Sequence, residues 1–117
     1  MEKNKKYTSF QSFYKYYLTE HADVRNRLLH FTGTFILIAS FIAGIITLNW
    51  IFFAIIPVVG YGFAWIGHYF IERNKPATFT YPFYSLASDF VMFWHILTGQ
   101  LESKLSDAKK TINNNLP

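Results

Sequence analysis

Hydrophobic positions in this chain are gathered into one central block. From Leu28 to Ile71 there is no Lys, Arg, Asp or Glu, and charge returns on both flanks. The block is interrupted once, at Thr47-Leu48-Asn49-Trp50, leaving stretches of about Leu28 to Thr47 and Trp50 to about Ile71. Each is close to the ~20 apolar residues with which a helix crosses a hydrocarbon core, so a hairpin of two spans is predicted. Ser40 and Gly44 on one arm, and Gly60 and Ala64 on the other, are small-xxx-small pairs that let backbones approach closely in lipid. Pro57, with Gly60 and Gly62 behind it, is expected to kink or loosen the second arm by removing a backbone hydrogen bond.

The flanks carry helical periodicity of a different kind. Phe10, Phe13, Tyr14, Tyr17, Leu18 and His21 fall on one face of an amphipathic helix too polar to span, and its rings suit the headgroup boundary. Asp23 is placed to cap the next helix near Val24. Beyond the block, Thr78 to Pro82 breaks the helix, and Phe83, Leu86, Phe90, Phe93, Leu97 and Leu101 predict a further helix to about Lys104. Asp89 in its middle argues for an interfacial helix, or one packed on the hairpin, rather than a third span. The expected fold is all-α: an integral membrane helical hairpin with flanking amphipathic or interfacial helices, one domain over residues 1–105, and a flexible tail over 106–117.

Composition fits this picture. At 117 residues, 51% hydrophobic and 21% aromatic, the chain is richer in apolar side chains than a soluble domain of its size requires. With no cysteine, disulfides and thiolate metal sites are excluded. The N-terminus lacks the apolar core of a cleavable signal peptide. All eleven Lys and Arg lie outside the block, so the positive-inside rule places both termini in the cytoplasm and the Asn49 turn on the far side. The net charge of +4 then reads as topology and attraction to lipid headgroups, not as nucleic-acid binding.

The hairpin also brings chemistry together. His30 and His68 each lie nineteen residues from Asn49, so two helices of equal rise return them to one depth. His21 projects from the apolar face of the first helix toward the same interface, while Asn26 and Glu72 lie one turn from His30 and His68. Imidazoles with a carboxylate suit non-haem Fe(II), and Zn(II) accepts the same donors. Taken singly, a histidine at the end of a membrane helix is more often an interfacial residue, and Glu72 is equally a solvated partner of Arg73 or Lys75. Several ionisable groups converging in a membrane protein point to function instead. His95, next to Trp94, is expected to be structural or to support the site from behind. A non-catalytic hairpin that binds or shapes lipid, and a b-type haem held between His30 and His68, are the competing readings.

Four stretches carry a family resemblance: Tyr17-Leu18-Thr19-Glu20-His21, Asn26-Arg27-Leu28-Leu29-His30-Phe31-Thr32-Gly33, Ala64 to Thr78 with its Gly67-His68 and Asn74-Lys75-Pro76-Ala77-Thr78, and Asp89-Phe90-Val91-Met92-Phe93-Trp94. Over about residues 10 to 101 the chain resembles the Mpo-like family of small membrane proteins, whose fungal member is an endoplasmic-reticulum 2-hydroxy-fatty-acid dioxygenase of phytosphingosine breakdown. The resemblance implies an Fe(II)-dependent, 2-oxoglutarate-independent enzyme that uses O₂ to shorten a 2-hydroxy fatty acid by one carbon. It implies His21, His30 and His68 as metal-binding and catalytic residues, with Asn26 and Glu72 as further polar motif positions. Glu72 is the expected carboxylate ligand. Fungal-type members tend to carry a doubled histidine where this chain has Glu20-His21, so Glu20 replaces it or the site differs. Arg25, Arg27, Arg73 or Lys75 would attract the substrate carboxylate. The expected partners are membrane lipid and a 2-hydroxy fatty acid, with homodimerisation as a way to shelter the metal. The expected location is the cytoplasmic membrane if the chain is bacterial and the endoplasmic reticulum if it is eukaryotic.

Overall fold

A computed structural model describes residues 7–114. Five α-helices account for most of them: α1 (Phe10–Thr19), α2 (Val24–Thr47), α3 (Ile51–Ile66), α4 (Pro82–Leu97) and α5 (Leu101–Asn114). A π-helical segment, Gly67–Glu72, continues α3, and a short 3-10 turn, Ala77–Phe79, precedes α4. There is no strand among the described residues.

The hairpin turns where the sequence places it. Helix α2 ends at Thr47, Leu48 takes the left-handed conformation (φ 55°), and the Asn49 side chain accepts from the Ile51 backbone N–H at 3.1 Å to start α3. Asp23 caps α2, its carboxylate accepting from the Arg25 backbone N–H at 2.9 Å. Cation pairing and the cap bonds to Arg25 hold the Asp23 carboxyl down to about 2, so the cap stays ionised. Small residues let the arms close up: a Cβ added to Gly44 would sit 2.7 Å from the Phe53 ring, and one on Gly33 3.0 Å from Phe63. Helix α3 runs on through Pro57, and the departure from α geometry comes later, at Gly67–Glu72.

Two helices, Val24–Thr47 and Ile51–Glu72, are long and apolar enough to cross a membrane, and only 28% and 11% of their most apolar windows are buried within the protein. A core helix of a soluble protein would be mostly covered. Here Ile46, Val58 and Phe70 are each at least 73% exposed, which is the surface of helices that face lipid.

The remaining helices build the protein's own core at one end of the hairpin. Phe13, Tyr14, Tyr17 and Leu18 of α1 pack with Met92 of α4 and with Leu101, Leu105 and Ala108 of α5. The ring-bearing face of α1, expected at the headgroup boundary, is therefore interior: Phe13 is fully buried and Tyr17 2% exposed. Two further expectations are corrected. The helix expected over Phe83–Lys104 is two helices, because Gly99 adopts φ +75° after α4, a conformation that favours glycine. The tail expected to be flexible from Ser106 is helical through Asn114, with Leu105 and Ala108 inserted against α1 and Lys15 reaching Asp107 at 3.6 Å. Residues 115–117 lie outside the described residues.

Helix α4 is packed with its polar side inward. Ser85, Ser88 and Met92 are buried, while Phe83, Leu86, Trp94 and Leu97 are all more than half exposed. This arrangement suits a helix lying between a protein core and lipid, and it turns Asp89 toward the interior of the molecule.

Docking of α5 on α1 predicts a cost for losing its anchor. Leu105→Ala is expected to destabilise the protein by about 2–5 kcal/mol, read as a lowered midpoint of thermal unfolding in detergent. An unchanged midpoint would restore the frayed tail.

Candidate metal centre

Three chain segments deliver one imidazole each. His21 follows α1, His30 sits in the second turn of α2, and His68 is the second residue of the π-helical segment. All three are buried, at 1%, 6% and 2% exposure. Their rings meet edge to face, with centroids 4.3 Å apart for His21 and His30, 4.5 Å for His21 and His68, and 5.0 Å for His30 and His68. One nitrogen of each lies within 4.8 Å of the other two.

Each ring is held by its other nitrogen. His21 Nδ1 lies 2.6 Å from the Tyr17 carbonyl, which can only accept, so Nδ1 carries the proton. His68 Nδ1 lies 2.6 Å from Asn74 Oδ1, and His30 Nδ1 lies 3.4 Å from Asp89 Oδ1. The Nδ1–H groups of His21 and His68 are thus directed at acceptors, which leaves their Nε2 lone pairs free for the cluster. His21 Nε2 and His30 Nε2 are 3.2 Å apart. At that distance a proton on His30 Nε2 makes a hydrogen bond to the His21 Nε2 lone pair, and a metal ion can take the place of that proton. Burial and the neighbouring imidazoles push the His21 pKa well below its ordinary value, so the ring is neutral and its Nε2 lone pair is available. A metal bonded to both at about 2.1 Å would hold its nitrogens about 3.0–3.4 Å apart, which the observed spacing matches. The His21–His30 pair therefore fits shared coordination of a transition metal, and the third imidazole lies close enough to make a group of three that could hold one.

The supports of the rings are tied to one another. Asn74 also donates from Nδ2 to the Glu20 carbonyl at 3.1 Å, joining the His68 segment to the end of α1. Tyr17 stacks on His21, with centroids 4.0 Å apart, and donates its hydroxyl to Asp89. Burial first, and the Asp89 charge second, hold the Tyr17 hydroxyl protonated, so Asp89 accepts from Tyr17, and His30 Nδ1 lies 3.4 Å from the same carboxylate oxygen. Arg27 is buried and donates to the carbonyls of His21 (3.1 Å) and Ala22 (2.7 Å) and to Glu102 (3.1 Å), fixing the bend that presents His21. Gly67 allows the π-helical segment to reach α2, because an added Cβ there would overlap the Asn26 amide.

Several expected site residues are elsewhere. Glu72, the carboxylate expected on the metal, accepts from the Asp23 backbone N–H at 2.6 Å and from Asn26 Nδ2 at 3.5 Å, and it is not in the three-histidine group. It braces the start of α2 against the π-helical segment. Glu20 also lies outside the group, its pKa raised by burial and then by Glu72. Arg25 is engaged by Asp23, and Lys75 lies 5.4 Å from the centre of the Phe79 ring. Arg73 takes the left-handed position that ends the π-helical segment. His95 bonds to the Tyr14 hydroxyl at 2.7 Å and is not in the three-histidine group. The haem reading fails on geometry, since His21 stands against both His30 and His68 and leaves no gap for a macrocycle between them.

Beside the cluster lies a cavity of about 330 Å³. Tyr17, the three histidines and Asp89 border it, and its walls continue along Leu37 of α2, Ile56 to Trp65 of α3, and Phe83, Leu86 and Phe90 of α4. The twelve steps from Ile56 to His68 correspond to about 18 Å of helix. Among the described residues no Lys or Arg borders it.

Asp89, Asn74 and Tyr17 are the residues that spacing arguments missed. Asp89→Asn is expected to lower metal affinity about 10–100-fold with the fold retained, because the acceptor that orients His30 loses its charge. Titration of the metal-free protein with Fe(II) or Zn(II), alongside circular dichroism, checks this. An unchanged affinity would show that Asp89 does not support the ring.

No curated protein and no solved structure matches the chain. The sequence profile of the family described as 2-hydroxy-palmitic acid dioxygenase Mpo1-like matches residues 7–101, which include all three histidines, Asn74 and Asp89. With most of its length matched, and with the matched segment delivering every side chain of the cluster, this chain belongs to the Mpo1-like family.

Proposed function

We propose that this protein is a membrane-embedded, Fe(II)-dependent dioxygenase that cleaves the C1–C2 bond of a long-chain 2-hydroxy fatty acid, releasing an acid one carbon shorter. The single observation that carries the reading is the convergence of three buried imidazoles at one end of a long apolar cavity. A ligand for such a site has a small polar head and an extended hydrocarbon tail. The donor set by itself accepts zinc as readily as iron, and the family description supplies the preference for an oxygenase metal.

His21, His30 and His68 would hold the metal through Nε2, with Tyr17, Asp89 and Asn74 fixing the rings from behind. Iron(II), when bound, supplies the redox chemistry with O₂ and the Lewis acidity that draws the 2-hydroxy acid head to the cluster. The chain's own part is positioning and exclusion. Apolar walls from Leu37, Pro57, Gly60 and Leu86 bury the tail, and the depth of the cluster keeps bulk water from the reacting end. Tyr17 keeps a proton on its hydroxyl at the cavity wall, and the substrate enters from the lipid in which it dissolves.

In this reading both termini are cytoplasmic and the Asn49 turn crosses to the opposite face. The three histidines then lie near the cytoplasmic interface, where an amphiphilic acid keeps its head. A single chain already buries the cluster, so shelter does not require a second copy.

The test is turnover. Purified protein supplied anaerobically with Fe(II), then given O₂ and 2-hydroxyhexadecanoic acid, is expected to produce pentadecanoic acid by mass spectrometry, and His30→Ala is expected to reduce the rate at least 100-fold. Absence of the shortened acid with iron bound would contradict the proposal. Equal rates with and without His30 would do the same.

A further inference from the structure

Among the described residues that border the cavity, one polar side chain is buried with no hydrogen-bond partner. Ser85, on α4, borders the cavity and is 6% exposed, and its Oγ has no hydrogen-bond partner. Its backbone is satisfied, the N–H donating to the Tyr81 carbonyl at 2.9 Å, so the helix makes no demand on the hydroxyl. A buried, unpaired hydroxyl costs stability that alanine at the same helix position would not. Groups of this kind are retained where they meet a ligand.

Its place narrows the ligand chemistry. Ser85 lies one turn before Asp89 on the same face of α4, about 6 Å along the axis, and Asp89 supports His30 at the polar end of the cavity. The negative charge of Asp89 and the absence of any bordering Lys or Arg disfavour a carboxylate next to Ser85. A neutral hydroxyl is the matching partner. A serine hydroxyl also swings about a single bond between staggered positions, so it needs no backbone movement to meet a ligand.

We infer that Ser85 is the specificity-determining residue for the 2-hydroxyl group: its side chain exchanges a hydrogen bond with that hydroxyl when the acid head lies at the three imidazoles. The inference rests on the functional reading above. It explains how an otherwise apolar cavity would separate a 2-hydroxy acid from the more abundant unsubstituted acid, since a site built to bond a hydroxyl rejects the analogue without one.

The experiment compares unmodified protein and Ser85→Ala, both iron-loaded and anaerobic so that no turnover occurs. Equilibrium dialysis would measure binding of radiolabelled 2-hydroxyhexadecanoic acid and of hexadecanoic acid. Ser85→Ala is expected to weaken the hydroxy acid about tenfold, leave hexadecanoic acid unchanged, and unfold at the same or a higher temperature without ligand. A merely structural serine would instead lower the unfolding temperature. Equal losses for both acids, or no loss for either, would overturn the assignment while leaving the functional reading in place. Failure of the unmodified protein to bind the hydroxy acid would overturn both.

Discussion

Three buried imidazoles gathered within reach of one another are the constraint around which the rest of this molecule is arranged. Burying polar rings is costly unless their nitrogens are bonded, because no water is there to satisfy them. The fold meets that cost with the Tyr17 carbonyl and Asn74 as acceptors for His21 and His68, a contact between the His21 and His30 Nε2 atoms, and the Asp89 carboxylate beside His30 Nδ1. These come from α1, from the loop after the π-helical segment, and from α4, so every element around the cluster contributes either a ring or its restraint. A metal bound there would add its own binding free energy to the stability of this arrangement.

The surrounding architecture follows from that need. A bare two-helix hairpin exposes its ends and offers two of the three histidines. Helix α1 adds the third, and α5 and α4 hold α1 in place by burying its rings. Helix α4 meets two demands with one sequence, presenting Ser85, Ser88 and Asp89 inward and a row of large apolar side chains outward. The cavity lies where these polar and apolar surfaces join, which makes it suitable for an amphiphile.

The hairpin, its turn and the meeting of His30 with His68 were legible because they depend on regular quantities: a charge-free run, a constant rise per residue and equal spacing from Asn49. Asp23 as a cap was legible for the same local reason. What could not be read was tertiary. Periodicity marked the apolar face of α1 but could not say whether lipid or α5 would cover it. The same ambiguity left open which face of α4 would turn inward. A polar run with Thr111 and several asparagines looked like a frayed tail because Leu105 and Ala108 are too sparse to signal a docked helix. Helical spacing put Glu72 beside His68, and the π-helical geometry, which changes the angle per residue, turned it to the start of α2. Asp89 was visible only as an oddity in an apolar helix, since its partners Tyr17 and His30 are far away in sequence.

The central claim is that three histidines, without the Glu72 carboxylate, hold one metal ion. It is tested most directly by elemental analysis of protein purified anaerobically in detergent, comparing the unmodified chain with His21→Ala, His30→Ala, His68→Ala and Glu72→Gln. The account predicts about one metal per chain, lost in each histidine variant and retained in Glu72→Gln. Metal that persists without His21, or that vanishes with the Glu72 carboxylate alone, would contradict it.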